Sequence, residues 1–184
     1  MALIEITEKT HNVLLDMKYA TSDNFTDAPI YSQPHCYLHE EAEGLLCTAI
    51  EIAGKLGYRF RIFDAFRPSE AQWALWNHTP DPEFLSDPRR GSPHSRGAAI
   101  DLTLMDENDQ DLDMGTGFDA FTPLSHHGNL EINIEAQRNR NLLMGIMTTA
   151  GWDFYRNEWW HYQLFNARRL PTFSDSALQV SMMK

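Results

Sequence analysis

The sequence has little cysteine, no long apolar run and no excess of basic residues. Only two cysteines, Cys36 and Cys47, occur among its 184 residues, too few for a disulfide framework. No stretch approaches the roughly 18 consecutive apolar residues of a membrane-spanning helix. The opening MALIEITEKT lacks the basic and apolar segments of a secretory signal peptide. We therefore expect a protein of the reducing cytoplasm with two free thiols, and a Cys36–Cys47 disulfide is the alternative.

Basic residues are outnumbered, with 15 Lys and Arg against 26 Asp and Glu, giving a net charge of −11. A surface of this sign disfavours nucleic acid and anionic membranes as main partners, and favours a small neutral or cationic ligand. The hydrophobic content of 42% is that of an ordinary globular protein. The length predicts one domain, 1–184, able to bury a real core. The sequence carries no signal for an oligomeric state.

The spacing of apolar residues predicts helices and strands that do not alternate regularly. Helices are predicted over 38–56, 69–77 and 131–150, and strands over 13–19, 58–65, 97–104 and 158–165. The proline-containing segment 79–96 is expected to be an irregular loop, and residues from about 170 to 184 a surface tail. This order predicts an α+β fold, a central antiparallel sheet flanked by helices.

Two segments carry residues suited to metal chemistry: SPHSRGAAID over 92–101 and EWWH over 158–161. His94, Asp101 and His161 supply two imidazoles and one carboxylate, a ligand set of catalytic zinc, which keeps one position open. Asp101 interrupts an otherwise apolar strand, where an unpaired charge is costly and a cation would compensate it. Single histidines are nevertheless often structural, so these residues alone leave a zinc site and a structural cluster about equally favoured.

Two further side chains are candidates for catalysis. Glu158 precedes His161 by three residues and is a candidate base for the attacking water. Residues three apart on a strand face opposite sides, so Glu158 must lie in a bend before the strand if both face one ion. Arg67 follows a predicted strand, where a guanidinium can stabilise an oxyanion. From position alone, a surface arginine paired with Asp64 or Glu70 is the favoured alternative.

The two metal-binding segments belong to a wider resemblance. SPHSRGAAIDLTL followed by EWWHYQL closely resembles the D-alanyl-D-alanine dipeptidases of the vancomycin-resistance type, zinc D,D-peptidases that share a fold with the hedgehog N-terminal domain. The segments DMKYATSDNF, FDAFRP, MGTGFD, SHH and EAQRNRNLL are similar to the same family in the same order. The resemblance therefore covers nearly the whole chain.

The resemblance implies a catalytic metal site and a reaction. His94, Asp101 and His161 would bind one Zn²⁺ per chain, and Glu158 would act as the base. The implied reaction is hydrolysis of D-Ala-D-Ala to two D-alanines.

The resemblance also implies how the substrate is held. Arg67 would stabilise the tetrahedral intermediate, and Asp119 and Ser92 would hold the free ammonium end of the dipeptide. The chain departs from the family at Pro93, where another small polar residue is common; this change removes no implied ligand.

Two alternative functions are weighed against the dipeptidase. A D,D-carboxypeptidase or endopeptidase of assembled peptidoglycan calls for an export signal or a wall-binding module, and we find neither pattern. A non-enzymatic zinc module of the hedgehog type needs neither Glu158 nor Arg67. The presence of both residues favours an enzyme.

Overall fold

The fold is taken from a computed structural model that describes residues 2–183. The strands are β1 (Leu3–Ile6), β2 (Leu14–Leu15), β3 (Cys36–His39), β4 (Arg59–Asp64), β5 (Ala99–Met105), β6 (Asp153–Phe154) and β7 (His161–Gln163). The α-helices are α1 (Glu8–His11), α2 (Glu40–Lys55), α3 (Ser69–His78) and α4 (Ile134–Thr149). Within residues 2–183, no helix is long and apolar enough to cross a membrane.

The strands form one small and one large sheet. β1 pairs with β3, and the larger sheet has the order β2-β4-β5-β7-β6. All its pairings are antiparallel except that of the short β2 with β4. The predicted α+β fold with a central antiparallel sheet is therefore confirmed, with one parallel pair at its edge. Every residue of β5 is buried, because other parts of the chain cover both faces of this central strand.

The long helices follow their predicted patterns. In α2 the buried residues are Ala42, Leu46, Ala49 and Ala53, which recur on one face. The helix begins after His39, whose Nδ1 accepts the Glu41 N–H. Leu38 was included in the predicted helix 38–56 but lies in β3 instead. In α4, the Asn133 side chain caps the first turn by accepting the Ala136 N–H.

Two predicted strands are shorter than expected, and three short strands were not predicted. The strand expected over 13–19 is reduced to β2, because the chain turns into a 3-10 helix at Lys18–Ala20. The strand expected over 158–165 begins only at His161, after turns. β1, β3 and β6 contain two to four residues each, too few to show a periodic pattern.

The end of the chain is attached through specific contacts. Met182 is fully buried, and its carbonyl accepts the N–H groups of Ser32 and Gln33. The Asp175 carboxylate accepts the N–H of Met182 at 2.7 Å. Much of 170–183 lies at the surface, but these contacts fasten it to the body of the domain. Both cysteines are free: Cys36 is buried and Cys47 is exposed.

Candidate active site

Three elements bring the predicted metal ligands together. Asp101 in β5 lies directly opposite His161 in β7 in the antiparallel register. His94 opens the 3-10 turn His94–Arg96, which leads into β5. Gly97 ends that turn at a φ of +63°, where a Cβ would lie 2.8 Å from the backbone nitrogen of His39. Only glycine fits here, and the resulting sharp turn aims His94 back toward Asp101.

The spacing of the three side chains suits one metal ion. His94 Nε2 lies 3.1 Å from His161 Nδ1 and 3.3 Å from Asp101 Oδ2, and His161 Nδ1 lies 3.0 Å from Asp101 Oδ1. Bonds of about 2.0–2.2 Å to a tetrahedral zinc would separate such ligand atoms by about 3.3–3.6 Å. All three side chains are at least nine-tenths buried. Small outward movements would admit an ion.

The outer nitrogens of both imidazoles have acceptors of their own. His94 Nδ1 lies 2.7 Å from the Ala65 carbonyl oxygen, and His161 Nε2 lies 3.1 Å from Gln163 Oε1. A neutral ring that donates its outer N–H presents an unprotonated inner nitrogen. Two nitrogen lone pairs and the Asp101 carboxylate then meet with no proton among them, an arrangement that a cation stabilises. The donor set therefore fits a divalent metal.

Asp101 is held in its ionised form. Burial opposes ionisation, but in the protein without metal the charge of His94 and hydrogen bonds from His161 and His94 lower the pKa of Asp101 well below its usual range. These hydrogen bonds place protons between the imidazoles and the carboxylate, and a bound cation would take their place. A carboxylate that is charged at every physiological pH is a ready metal ligand.

Glu158 lies beside the cluster without belonging to it. One of its carboxylate oxygens, Oε2, is 3.8 Å from His161 Nδ1, and the side chain is 6% exposed. The residue lies in the turn before β7, as the geometric argument from the sequence required. Burial, followed by the nearby charges of Asp101 and Asp119, raises the pKa of Glu158 well above its ordinary value, while Arg67 opposes this.

Arg67 is buried, so the interpretation as a surface arginine is wrong, although its pairing with Asp64 is correct. Its Nε donates to Asp64 Oδ2 at 2.8 Å, and its Nη1 donates to Gln72 Oε1 at 3.0 Å. The guanidinium stands over the Tyr19 ring at 4.9 Å, and its Nη2 is 3.7 Å from Asp101 Oδ2. Three neighbours thus fix a positive charge at the edge of the metal cluster.

Asp119 lies in the loop between β5 and α4 at a φ of +56°. The Tyr19 hydroxyl donates to its Oδ2 at 2.7 Å. Burial raises the pKa of Asp119 to about 7; Asp101 and Asp64 add to this effect, whereas Tyr19 and Arg67 oppose it. A cation brought next to this carboxylate would relieve the cost of ionising it.

All seven predicted site residues line a single cavity of about 650 Å³. The seven are Arg67, Ser92, His94, Asp101, Asp119, Glu158 and His161. Ser92 is buried, and its Oγ accepts the His94 N–H at 3.1 Å. Ser92 therefore shapes the turn that carries His94 and also contributes to the cavity wall.

Several supporting residues were missed by the sequence analysis. Tyr19 contacts both Arg67 and Asp119, and the Tyr31 hydroxyl donates to Asp64 at 2.9 Å. Tyr19 falls within the family-like segment DMKYATSDNF, which was its only signal in the sequence.

Arg140 of α4 was also missed, and it holds the loop that carries Asp119. Its Nε donates to the Met114 carbonyl at 2.7 Å, and its Nη1 donates to the carbonyls of Leu124 and His126 at 2.9 and 3.2 Å. The side chain is buried. One guanidinium thus satisfies three backbone carbonyls along 114–126.

A single-domain α+β fold with a buried His-Asp-His cluster, a separate carboxylate and an arginine in one cavity defines the class of metal-dependent hydrolases. The family model Peptidase_M15, described as D-ala-D-ala dipeptidase, matches residues 1–180. The chain belongs to this family, and the predicted family is confirmed.

Curated relatives named D-alanyl-D-alanine dipeptidase align with this chain over most of their length. The chain is 43% identical over 173 residues to a D-alanyl-D-alanine dipeptidase of Escherichia coli (strain K12), covering 94% of this chain and 90% of that protein. It is 37% identical over 181 residues to one of Enterococcus faecium, covering 86% and 89%. A third, from Enterococcus faecalis, is 35% identical over 195 residues, covering 94% and 96%.

Proposed function

We propose that this protein is a zinc-dependent dipeptidase that hydrolyses D-Ala-D-Ala to two D-alanines. The observation that carries the proposal is the convergence of His94, Asp101 and His161 beside Glu158 and Arg67 in one cavity. The names of the relatives, all D-alanyl-D-alanine dipeptidases, support the choice of substrate.

His94 Nε2, His161 Nδ1 and the Asp101 carboxylate would hold the ion. When bound, zinc would supply Lewis acidity toward the scissile carbonyl and increase the acidity of water. Ala65 and Gln163 keep the two imidazoles in the tautomers that ligation requires, since each accepts an outer N–H.

Glu158 would move the proton. Its carboxylate accepts a proton from the attacking water and delivers it to the departing amine, so that the group begins and ends the cycle ionised. In the metal-free protein its pKa is raised by burial and by two neighbouring carboxylates. A dication beside it would lower that pKa again toward the range in which a base works.

Arg67 would stabilise the negative oxygen that develops on the scissile carbonyl. Asp64, Gln72 and Tyr19 already hold the guanidinium in place, so little reorganisation is needed as the charge appears.

Asp119 and Ser92 would bind the free ammonium end of the dipeptide. The Asp119 carboxylate is half-buried and already accepts the Tyr19 hydroxyl, so a substrate ammonium would provide its missing charge partner. The Ser92 oxygen has a lone pair to offer beyond the His94 N–H that it accepts. Recognition of a free N-terminus distinguishes a dipeptidase from a carboxypeptidase.

The decisive experiment measures D-alanine release by zinc-loaded protein from three compounds: D-Ala-D-Ala, N-acetyl-D-Ala-D-Ala and L-Ala-L-Ala. We expect cleavage of the free D,D-dipeptide alone. Cleavage of the acetylated compound at a comparable rate would move the protein to the carboxypeptidases. Failure to cleave any of the three would favour the non-enzymatic zinc module.

The cytoplasmic location stays a prediction, which fractionation of producing cells would check.

A further inference from the structure

A second group of metal-binding side chains lies where α1 meets α2. His11 is the last residue of α1, and Glu43 and Cys47 stand one turn apart on α2. One donor atom from each lies within 4.8 Å of the other two, and none of the three residues lines the active-site cavity. We propose that His11, Glu43 and Cys47 form a second site for a transition-metal ion of the Zn²⁺ type, independent of the proposed catalytic site.

The distances at this second site agree with tetrahedral coordination. His11 Nε2 is 3.3 Å from Glu43 Oε1, and Cys47 Sγ is 3.2 Å from the same oxygen. Zinc bonds of about 2.0–2.2 Å to nitrogen or oxygen and 2.3 Å to sulfur separate such ligand atoms by about 3.3–3.6 Å. The ligand atoms of His11 and Cys47 lie within 4.8 Å of each other, so bringing this pair around one ion takes a shift of at most about 1 Å.

The imidazole of His11 is oriented for this role. Its Nδ1 accepts the Thr7 N–H at 3.4 Å and lies 2.8 Å from Thr10 Oγ1, while its Nε2 faces Glu43. An ion at Nε2 would require the ring to take the tautomer protonated at Nδ1, a proton that Thr10 Oγ1 can accept. The His11 side chain is 8% exposed and that of Glu43 is 27% exposed. The cluster is thus shielded on the helix side and open toward solvent, where water would complete the coordination.

The mixture of donors selects the kind of ion. Thiolate and imidazole ligands favour Zn²⁺ and Co²⁺ over Mg²⁺ and Ca²⁺, which prefer oxygen. On binding, the Cys47 thiol would release its proton to solvent and ligate as the thiolate. Without an ion, the three side chains contact one another through a His11–Glu43 pair and a thiol hydrogen bond to Glu43.

An ion here would fasten a weakly held element. In the four-residue helix α1 the first three residues are exposed, and the His11 side chain is the one that is largely covered. So short a helix is not stable by itself in water. Joining its last residue to two positions of the long helix α2 would add a direct tie between the two helices to the pairing of β1 with β3. The chain would then bind two ions, one for catalysis and one for structure.

Cobalt(II) tests this proposal, because Co²⁺ bound to a thiolate has an intense near-ultraviolet charge-transfer absorption. The cavity site has no cysteine, so an ion bound there would not give this band. Metal-free protein is titrated with Co²⁺ under a non-thiol reductant, and bound metal is counted after desalting. We expect two ions per chain and the thiolate band. Cys47→Ala and His11→Ala should each bind one ion, in the cavity, and the band should be absent from both. Both variants should keep dipeptidase activity.

Thermal unfolding gives a second readout that does not depend on activity. At about a hundredfold excess of ion over its dissociation constant, occupancy of the second site should raise the unfolding midpoint of the wild type by roughly 5–10 °C more than that of Cys47→Ala. The control Glu40→Gln removes an exposed carboxylate of α2 outside the cluster and should behave as the wild type. One ion per chain without the band, or a band that survives Cys47→Ala, would overturn the proposal.

Discussion

Burial and neighbouring charges give Asp101, Asp119 and Glu158, three of the carboxylates that line the cavity, different protonation states. The histidines keep Asp101 ionised, whereas burial raises the pKa of Asp119 to about 7 and that of Glu158 well above its ordinary value. Three negative charges in so small a space would repel one another without cations. The proposed metal and substrate ammonium would therefore favour the ionised forms of Asp119 and Glu158.

Replacement of Glu158 by glutamine tests its role as the base. The amide keeps the size of the side chain but cannot accept a proton from water, so kcat should fall by about 10²–10⁴-fold. Metal content should not change, because Glu158 is not one of the proposed ligands. Steady-state kinetics together with metal analysis check both statements, and retention of a tenth of wild-type kcat would refute the assignment.

Replacement of Asp119 by asparagine tests the cost of its buried charge. Its folded-state pKa of about 7 exceeds the ordinary value of 3.8, so the folded state binds the proton more tightly. Ionisation of Asp119 therefore reduces stability progressively as pH rises from about 4 through 7. Asparagine can still accept the Tyr19 hydroxyl and tolerates a positive φ.

Chelator-treated Asp119→Asn should thus be more stable than chelator-treated wild type at pH 8 and nearly equal to it at pH 4. We expect a difference of roughly 2 kcal/mol at pH 8, about half of what the full pKa shift would give, because solvent screens the charge of this partly exposed side chain. The same variant should lose activity on the free dipeptide. Denaturant unfolding at the two pH values measures the difference, and an equal difference at both would contradict the assigned cause.

At the scale of elements, the active site is held by contacts between segments that are distant in the chain. The periodic pattern predicted the long helices and the central strands, and the family motifs supplied the seven candidate residues that line the cavity together with others. The pattern did not predict the burial of Arg67 or the role of Tyr19, because both depend on partners elsewhere. Tyr19 and Asp119, for example, are separated by 100 residues, and no local signal records such a contact.

The loop that carries Asp119 should depend on Arg140. Arg140→Met keeps the length of the side chain but removes the donors to three carbonyls, and each buried unpaired group costs about 1–3 kcal/mol. We expect the unfolding midpoint to fall by roughly 5–10 °C and KM for D-Ala-D-Ala to rise more than kcat falls. Arg138→Met removes an exposed arginine from the same helix and is the matched control. If KM is unchanged, the loop is positioned by other contacts.

At the scale of the whole molecule, stability and metal content should be linked. The Cys47→Ala variant lacks the proposed second metal site, so chelation of this variant removes only the ion of the cavity. Chelation should abolish activity and lower the unfolding midpoint by at least about 5 °C. Addition of Zn²⁺ should restore both. Calorimetry of the treated and reloaded protein makes the comparison, and an unchanged midpoint would show that the ion contributes little to the fold.

The direct pairing of Asp101 with His161 across β5 and β7 also bears on how the chain reaches its native state. A slip of one residue between these strands would turn one of the two ligands to the opposite face of the sheet. A misaligned chain could then offer only an incomplete coordination sphere and would bind the ion poorly. Affinity for the proposed metal would thus discriminate between correctly and wrongly paired strands, and the ion would act as a folding checkpoint before it takes part in any reaction.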